Sequence, residues 1–439
     1  MRRALLAVLL ALPAVVAVAA PDPALKKAIA NDYSARLAPL FEHLHRNPEL
    51  SFMETKTAAR MAKELREAGF EVTEGVGKTG IVAILKNGAG PLVMLRADMD
   101  GLPVEEKSGL PYASRTIQKD SSGRDVPVTH SCGHDVHMTS MVGTARQMVA
   151  LKSRWKGTLM LIGQPAEERG GGALDMMADN IWKRFGKPDF AISLHVLSNL
   201  AAGKISIAES PYSGVDTLEM NIPGIGTHGA SPHTGKDPIV LGAQIIMGLQ
   251  TIVSRDLAPR EPGLITVGSF HSGTKPNIIS DNARLELSVR SESAETRAML
   301  LAAIDRVAKN TARAAGMPEH LLPVVKAMDN PSLPVLNDMK MAERLRAAWI
   351  RDLGADVIDN GHKRGSMVAE DFGYLTTDPY IPSVYFTLGG TPAAELAAEA
   401  RGGAAVPMNH SPLFKVLPDL TIRTGVETSV VALLDLMKK

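Results

Sequence analysis

The chain has 439 residues, 48 lysines and arginines against 47 aspartates and glutamates, and 45% hydrophobic residues. That is enough for a large core and for two or three domains. With 4% aromatics, a formal charge of +1 and a mean hydropathy of +0.01, it has no basic aromatic patch for nucleic acid and no field to steer a polyanion.

The chain opens with "MRRALLAVLLALPAVVAVAA". Arg2 and Arg3 precede an apolar run, and Ala17-Val18-Ala19 fits a small-x-small cleavage site. Residues 1–19 therefore read as a secretory signal peptide, with Ala20 first in the mature chain and a periplasmic or secreted destination. Spanning a membrane takes about 20 apolar residues, and Pro13 interrupts this shorter run. No cysteine directly follows it, which excludes a lipoprotein anchor. Without Arg2 and Arg3, 46 basic residues face 47 acidic ones, a net of −1.

Next, "PALKKAIANDYSARLAPLFEHLHRNPEL" predicts a helix ending before Pro48, and "ETKTAARMAKELREAGF" a second, closed by Gly69. His43 and His45 on the first helix read as structural. "GIVAILKN" and "GPLVMLRADMD" read as strands. Helix and buried strand then alternate through "MTSMVGTARQMVALKSR", "GTLMLIGQPAEE", "GALDMMADNIWKRFG" and "PDFAISLHV". Continuous apolar strands separated by helices predict an α/β sheet, largely parallel and covered on both faces.

The texture changes near Ser213. "DTLEMNIPG" alternates like a half-exposed strand. Asp237-Pro238 opens a helix with a capping acid and an N-terminal proline. Strands "GLITVGSF" and "ARLELSVRS", a long helix from "AETRAMLL" and a strand near "LLPVVKAMD" complete a β-α-β-β-α-β order, the ferredoxin-like pattern. Residues 213–328 thus read as a compact α+β domain inserted between 24–212 and 329–439. The α/β texture returns with "MAERLRAAWIRDLG" and "SVYFTLGG".

Several strands of the larger domain end in Asp, Glu or His: Asp98 and Asp100, Glu167 and Glu168, His195. Open α/β sheets gather their sites at the carboxyl ends of strands. "HSCGHDVHM" precedes a helix and can reach the same edge. It holds three of the 12 histidines and the lone cysteine, Cys132, which has no disulfide partner. In extended backbone, Cys132 and His134 face the same way, and Gly133 lets the backbone approach an ion. Thiolate, imidazole and carboxylate together suit zinc or a similar divalent ion. Of two adjacent glutamates, one can bind metal while the other handles a proton.

"LRADMDGLP", "HSCGHDVHM", "GQPAEE", "LHV", "GTHGASPH", "KPNIIS", "VAEDF" and "NHSP" resemble, in order, the motifs of the M20 family of metal-dependent amidohydrolases and peptidases. They are most similar to its aminoacylase, hippurate-hydrolase and auxin-conjugate-hydrolase branch. The resemblance implies a catalytic α/β domain interrupted by a smaller lid, through which a homodimer can form. It implies two divalent ions per subunit, Mn²⁺ or Zn²⁺ with Co²⁺ as an alternative. Cys132, His134, Glu168, His195 and His410 match the ligand positions, with Cys132 between the ions, and Glu167 matches the general base. His228 matches a lid histidine that reaches a substrate carbonyl, often across a dimer interface. Asn277 and Arg290 match lid positions associated with the substrate carbonyl or carboxylate. Asp135 and His137 read as supporting residues, and Asp100 as one that orients a ligand. The implied substrates are N-acyl amino acids or related small conjugates, with no membrane anchor and no nucleic acid.

Three alternatives stay open: a dipeptidase or carboxypeptidase of the same family, a hydrolase with Cys132 as nucleophile, and a binding protein without turnover. Two departures from the family pattern stand out. The polar segment "TIQKDSSGRDVPVT" precedes the cysteine motif, where it is expected to reshape the pocket mouth. Val368 takes a place where small residues are frequent.

Overall fold

The computed structural model describes residues 22–328 and 330–439. The expected signal peptide lies outside them. In chain order the first half contains α1 (Pro23–Asp32), α2 (Ala38–Arg46), α3 (Thr55–Glu67), β1 (Glu71–Val76), β2 (Gly80–Asn87) and β3 (Leu92–Asp98). The short strands β4 (Ile117–Lys119) and β5 (Asp125–Pro127) follow, then α4 (His134–Ala150), β6 (Gly157–Gln164), α5 (Gly172–Ala178), α6 (Ile181–Phe185), β7 (Phe190–Ala201) and β8 (Ile205–Ser206). The smaller unit holds β9 (Gly214–Pro223), β10 (Thr227–His228), α7 (Pro238–Thr251), β11 (Gly263–Ser272), β12 (Ile278–Ile279), β13 (Asn282–Ser291), α8 (Ala294–Ala314) and β14 (Val324–Ala327). The chain ends with α9 (Met339–Leu353), α10 (Gly373–Thr376), β15 (Ser383–Thr391), α11 (Ala393–Glu399) and α12 (Pro418–Leu436).

Seven strands form the larger sheet in the order β1-β2-β6-β3-β7-β15-β8. The central four, β6-β3-β7-β15, are parallel, and β1, β2 and β8 add antiparallel edges. The parallel strands carry near-continuous apolar runs because both of their faces are covered. On one face lies the largest apolar cluster, with α4 and α12 packed side by side around Val142, Val426 and Val430. On the other lies a smaller cluster around Met94, Met160, Phe372 and Tyr385. The fold class matches the sequence reading.

Local details differ from the sequence reading for identifiable reasons. The first helix carries a π turn at Tyr33–Leu37. The segment at 172–186 is two short helices, because Asn180 adopts a left-handed conformation between them. The helix after the cysteine begins at His134, inside the motif. β1 was not anticipated, since its burial is slight and its sequence polar.

The smaller unit is an antiparallel sheet, β11-β13-β9-β14, with α7 and α8 against one face. Asp237 caps α7 by accepting from the Ile239 and Val240 amides. The helical run Pro238–Asp256 is long and apolar enough to cross a membrane. Here Leu241, Ile245 and Leu249 pack into the core of this unit. The polar segment at 116–129 makes the β4–β5 hairpin and bonds back to Arg46 and Leu50.

Candidate metal centre

Three loops and one strand meet at the carboxyl edge of the central strands. Cys132 and His134 do not sit on extended backbone as expected. Gly133 between them has φ +88, and this left-handed turn aims both side chains at one point. A Cβ on Gly133 would lie 2.3 Å from Val196 Cγ1, so the glycine serves the turn and its packing against Val196. His195 projects from β7. Glu167 and Glu168 start a 3₁₀ turn after β6, behind the left-handed Ala166. His410, also left-handed, lies in the loop before α12, and its amide donates to Ser131 O at 2.8 Å.

The potential ligand atoms converge. Cys132 Sγ is 3.3 Å from His195 Nε2 and 3.2 Å from His410 Nε2. Glu168 Oε1 is 3.4 Å from His410 Nε2 and 3.8 Å from His134 Nε2. Donors bound at about 2.0–2.3 Å to a common tetrahedral ion lie roughly 3.3–3.8 Å apart, so the spacing fits divalent metal. Two of these atoms, His134 Nε2 and Glu168 Oε1, are buried with no hydrogen-bond partner. Buried polar atoms are rarely left so, and a cation is the partner this donor set suits.

The tautomers agree. His134 Nδ1 donates to Asp100 O at 2.9 Å and His195 Nδ1 to Val196 O at 2.8 Å, which turns both ε-nitrogens to the cluster as acceptors. His137 is different: Nδ1 donates to Asp98 Oδ1 at 2.6 Å, and Nε2 accepts from the Val196 amide at 2.9 Å. Both nitrogens are occupied, so its role is to hold β7 beside α4. The Asp100 carboxylate accepts from the Glu167 and Glu168 amides, each at 3.1 Å, and fixes the glutamate turn.

Burial, followed by Glu370 and Glu168, pushes the Glu167 carboxyl well above the usual carboxylate range. Burial and then Glu168 push the Cys132 thiol up. A nucleophilic cysteine needs the opposite shift, whereas a bound cation holds such a sulfur as thiolate.

Three supporting residues were not assigned from sequence. Asn409 Nδ2 donates to Cys132 O at 3.1 Å and to Val196 O at 3.0 Å, tying three ligand segments together. The fully buried Arg96 pairs with Asp98 at 2.7 Å and Glu370 at 2.8 Å. "NHSP" and "VAEDF" held Asn409 and Glu370 in plain sight, but nothing in their spacing indicates a bond.

A cavity of about 410 Å³ opens from Cys132, Glu167, Glu168, His195 and His410. That is within the range of small-molecule sites. Its lining is mainly apolar by area and includes Leu197, Ile207, Tyr212, Val368 and Met408, with His362 and Arg364 among its polar residues. No residue of 116–129 lines it, so the hairpin does not shape this pocket as expected. The candidate residues of the smaller unit stand apart from this cavity within one chain. His228 and Asn277 share a separate cleft of the smaller unit, and His228 Nδ1 accepts from the Ala230 amide. Arg290 donates to Met367 O at 2.6 Å, bracing the loop that carries Val368.

A thiol, imidazoles and carboxylates gathered at the strand ends of a covered α/β sheet, beside a small-molecule cavity, define a metal-dependent hydrolase. The chain belongs to peptidase family M20/M25/M40, whose model matches residues 94–401, and with it to hydrolases acting on amide bonds. It is 33% identical over 346 residues to the hippurate hydrolase of Campylobacter jejuni, covering 78% of this chain and 86% of that one. It is 35% identical over 349 residues to the N-acetyl-L-cysteine deacetylase of Bacillus subtilis, covering 79% and 78%. Among solved structures, a dinuclear metal-binding M20 peptidase from Bacillus subtilis superposes with a TM-score of 0.73 at 28% identity, covering 92% of this chain and 98% of that one.

Proposed function

We propose that this chain is an exported binuclear amidohydrolase. It cleaves the amide of an N-acyl amino acid or related small conjugate to a carboxylic acid and a free amino acid. The observation that carries the reading is the buried, partnerless pair His134 Nε2 and Glu168 Oε1, converging with Cys132, His195 and His410 beside Glu167. Those five residues would hold the two ions, Mn²⁺ or Zn²⁺ with Co²⁺ as an alternative. Bound divalent metal lowers the pKa of a coordinated water from about 16 toward 7. Glu167 accepts the proton of the attacking water and hands it to the leaving nitrogen.

His228 is exposed and outside the cavity of its own chain. We assign it to the site of a second copy, where it would donate to the carbonyl oxygen, a contribution of about 3–4 kcal/mol in comparable sites. The unpaired edge of β11 and the exposed Val240 and Met247 of α7 support a lid-to-lid dimer. Export rests on the N-terminal pattern of paired arginines, apolar run and small residues.

A panel of N-acyl amino acids and dipeptides, assayed with manganese, zinc and cobalt, tests the reading. Turnover of N-acyl amino acids above dipeptides is expected. Exclusive cleavage of dipeptides would make the chain a peptidase.

A further inference from the structure

We propose that His45, on α2, is a positioning residue for the metal loop, and that its bridge between Asp135 and Glu106 sets the affinity of the chain for its divalent ions. The inference rests on the metal-binding role proposed above for Cys132 and His134.

His45 Nδ1 lies 2.6 Å from Asp135 Oδ2, and Nε2 lies 3.1 Å from Glu106 Oε1. Ionised carboxylates only accept, so both ring nitrogens must carry protons and the ring is an imidazolium. Burial lowers its pKa, but the bonds to Asp135 and Glu106 outweigh that and push it up to about 10. All three residues are buried. Tyr112 meets the ring edge-on at 5.1 Å and Phe41 packs at 5.7 Å, so the charge sits in an apolar sleeve.

The three residues come from separate segments. Asp135 immediately follows His134. Glu106 accepts from the Ser114 amide at 2.6 Å and from Thr129 Oγ1 at 3.4 Å. Through Asp135 and Thr129, His45 therefore holds both flanks of the segment that carries Cys132 and His134. It is bonded to none of the proposed ligands. The side chain was placed as structural from sequence; its partners give it this more specific task.

Glutamine cannot replace it, because it would donate to one carboxylate and turn its carbonyl oxygen on the other. The test measures zinc and manganese affinity of the full chain by competition with a chromogenic chelator, alongside melting of the metal-free protein. His45→Gln is expected to bind metal about 10–100-fold more weakly, the usual effect of losing a partner that orients ligands. A general packing role would lower the melting temperature and leave affinity unchanged, and that result overturns the proposal. Asp135→Asn keeps the size and one acceptor and serves as a second variant. It must also lose affinity, and parental binding in it overturns the proposal whether or not His45→Gln folds. A parent chain that binds neither ion contradicts the proposed function itself, an outcome distinct from parental affinity in the variants.

Discussion

Gly133→Ala is the smallest change that should disable the centre. Two costs can be read from the backbone. A left-handed conformation costs a residue with a Cβ about 1–2 kcal/mol, and Gly133 has φ +88. The new methyl would also lie 2.3 Å from Val196 Cγ1, and overpacking of this kind costs about 1–3 kcal/mol. The sum is roughly 2–5 kcal/mol. Val196 cannot yield freely, because its amide bonds to His137 and its carbonyl to His195 and Asn409. The displacement should therefore reach the ligands and weaken metal binding at least ~10-fold. All three tryptophans, Trp155, Trp182 and Trp349, lie outside the smaller unit, so their fluorescence in a denaturant series reports the larger one. An alanine variant with parental midpoint and parental metal affinity would show that the left-handed turn does not set the site.

Glu167→Gln should keep its metal while turnover falls about 10²–10⁴-fold, the range for lost general-base catalysis. Glu168→Gln should lose metal affinity and regain part of its activity in excess metal; the opposite pattern in a metal titration would swap the two roles. The His45 pair makes a pH prediction. Its folded pKa of about 10 exceeds the ordinary 6.5, so its stabilisation is complete below 6.5 and is lost as pH rises through 10. Denaturant midpoints measured from pH 6 to 10 should fall more steeply for the parent than for His45→Gln, and parallel slopes would contradict the charged bridge.

Much of the fold was readable because its signals are local and repeated. The apolar runs of β3, β6 and β15 announce buried parallel strands, and Asp237-Pro238 marks the start of α7. Strand-end chemistry pointed to Asp98, Glu167, Glu168 and His195 before any contact was known. The geometry within "HSCGHD" was not readable, since an extended or a left-handed Gly133 satisfies the same letters. Arg96–Glu370 and Asn409–Cys132 were hidden for a different reason. Each joins residues more than 270 positions apart, and no periodicity records such a pairing. His228 marks another boundary: its motif is legible, yet one chain alone does not bring it to the cluster.

Amide hydrolysis by this chain should depend on divalent metal held by the Cys132–His134 loop and its partners. Stripping the full chain with a chelator and titrating it with zinc, manganese or cobalt, while following both bound metal and hydrolysis of an N-acyl amino acid, tests this most directly. Activity should vanish on stripping and return with metal, saturating near two ions per chain. Turnover that survives complete removal of metal, or a chain that binds two ions yet never hydrolyses an amide, would contradict it.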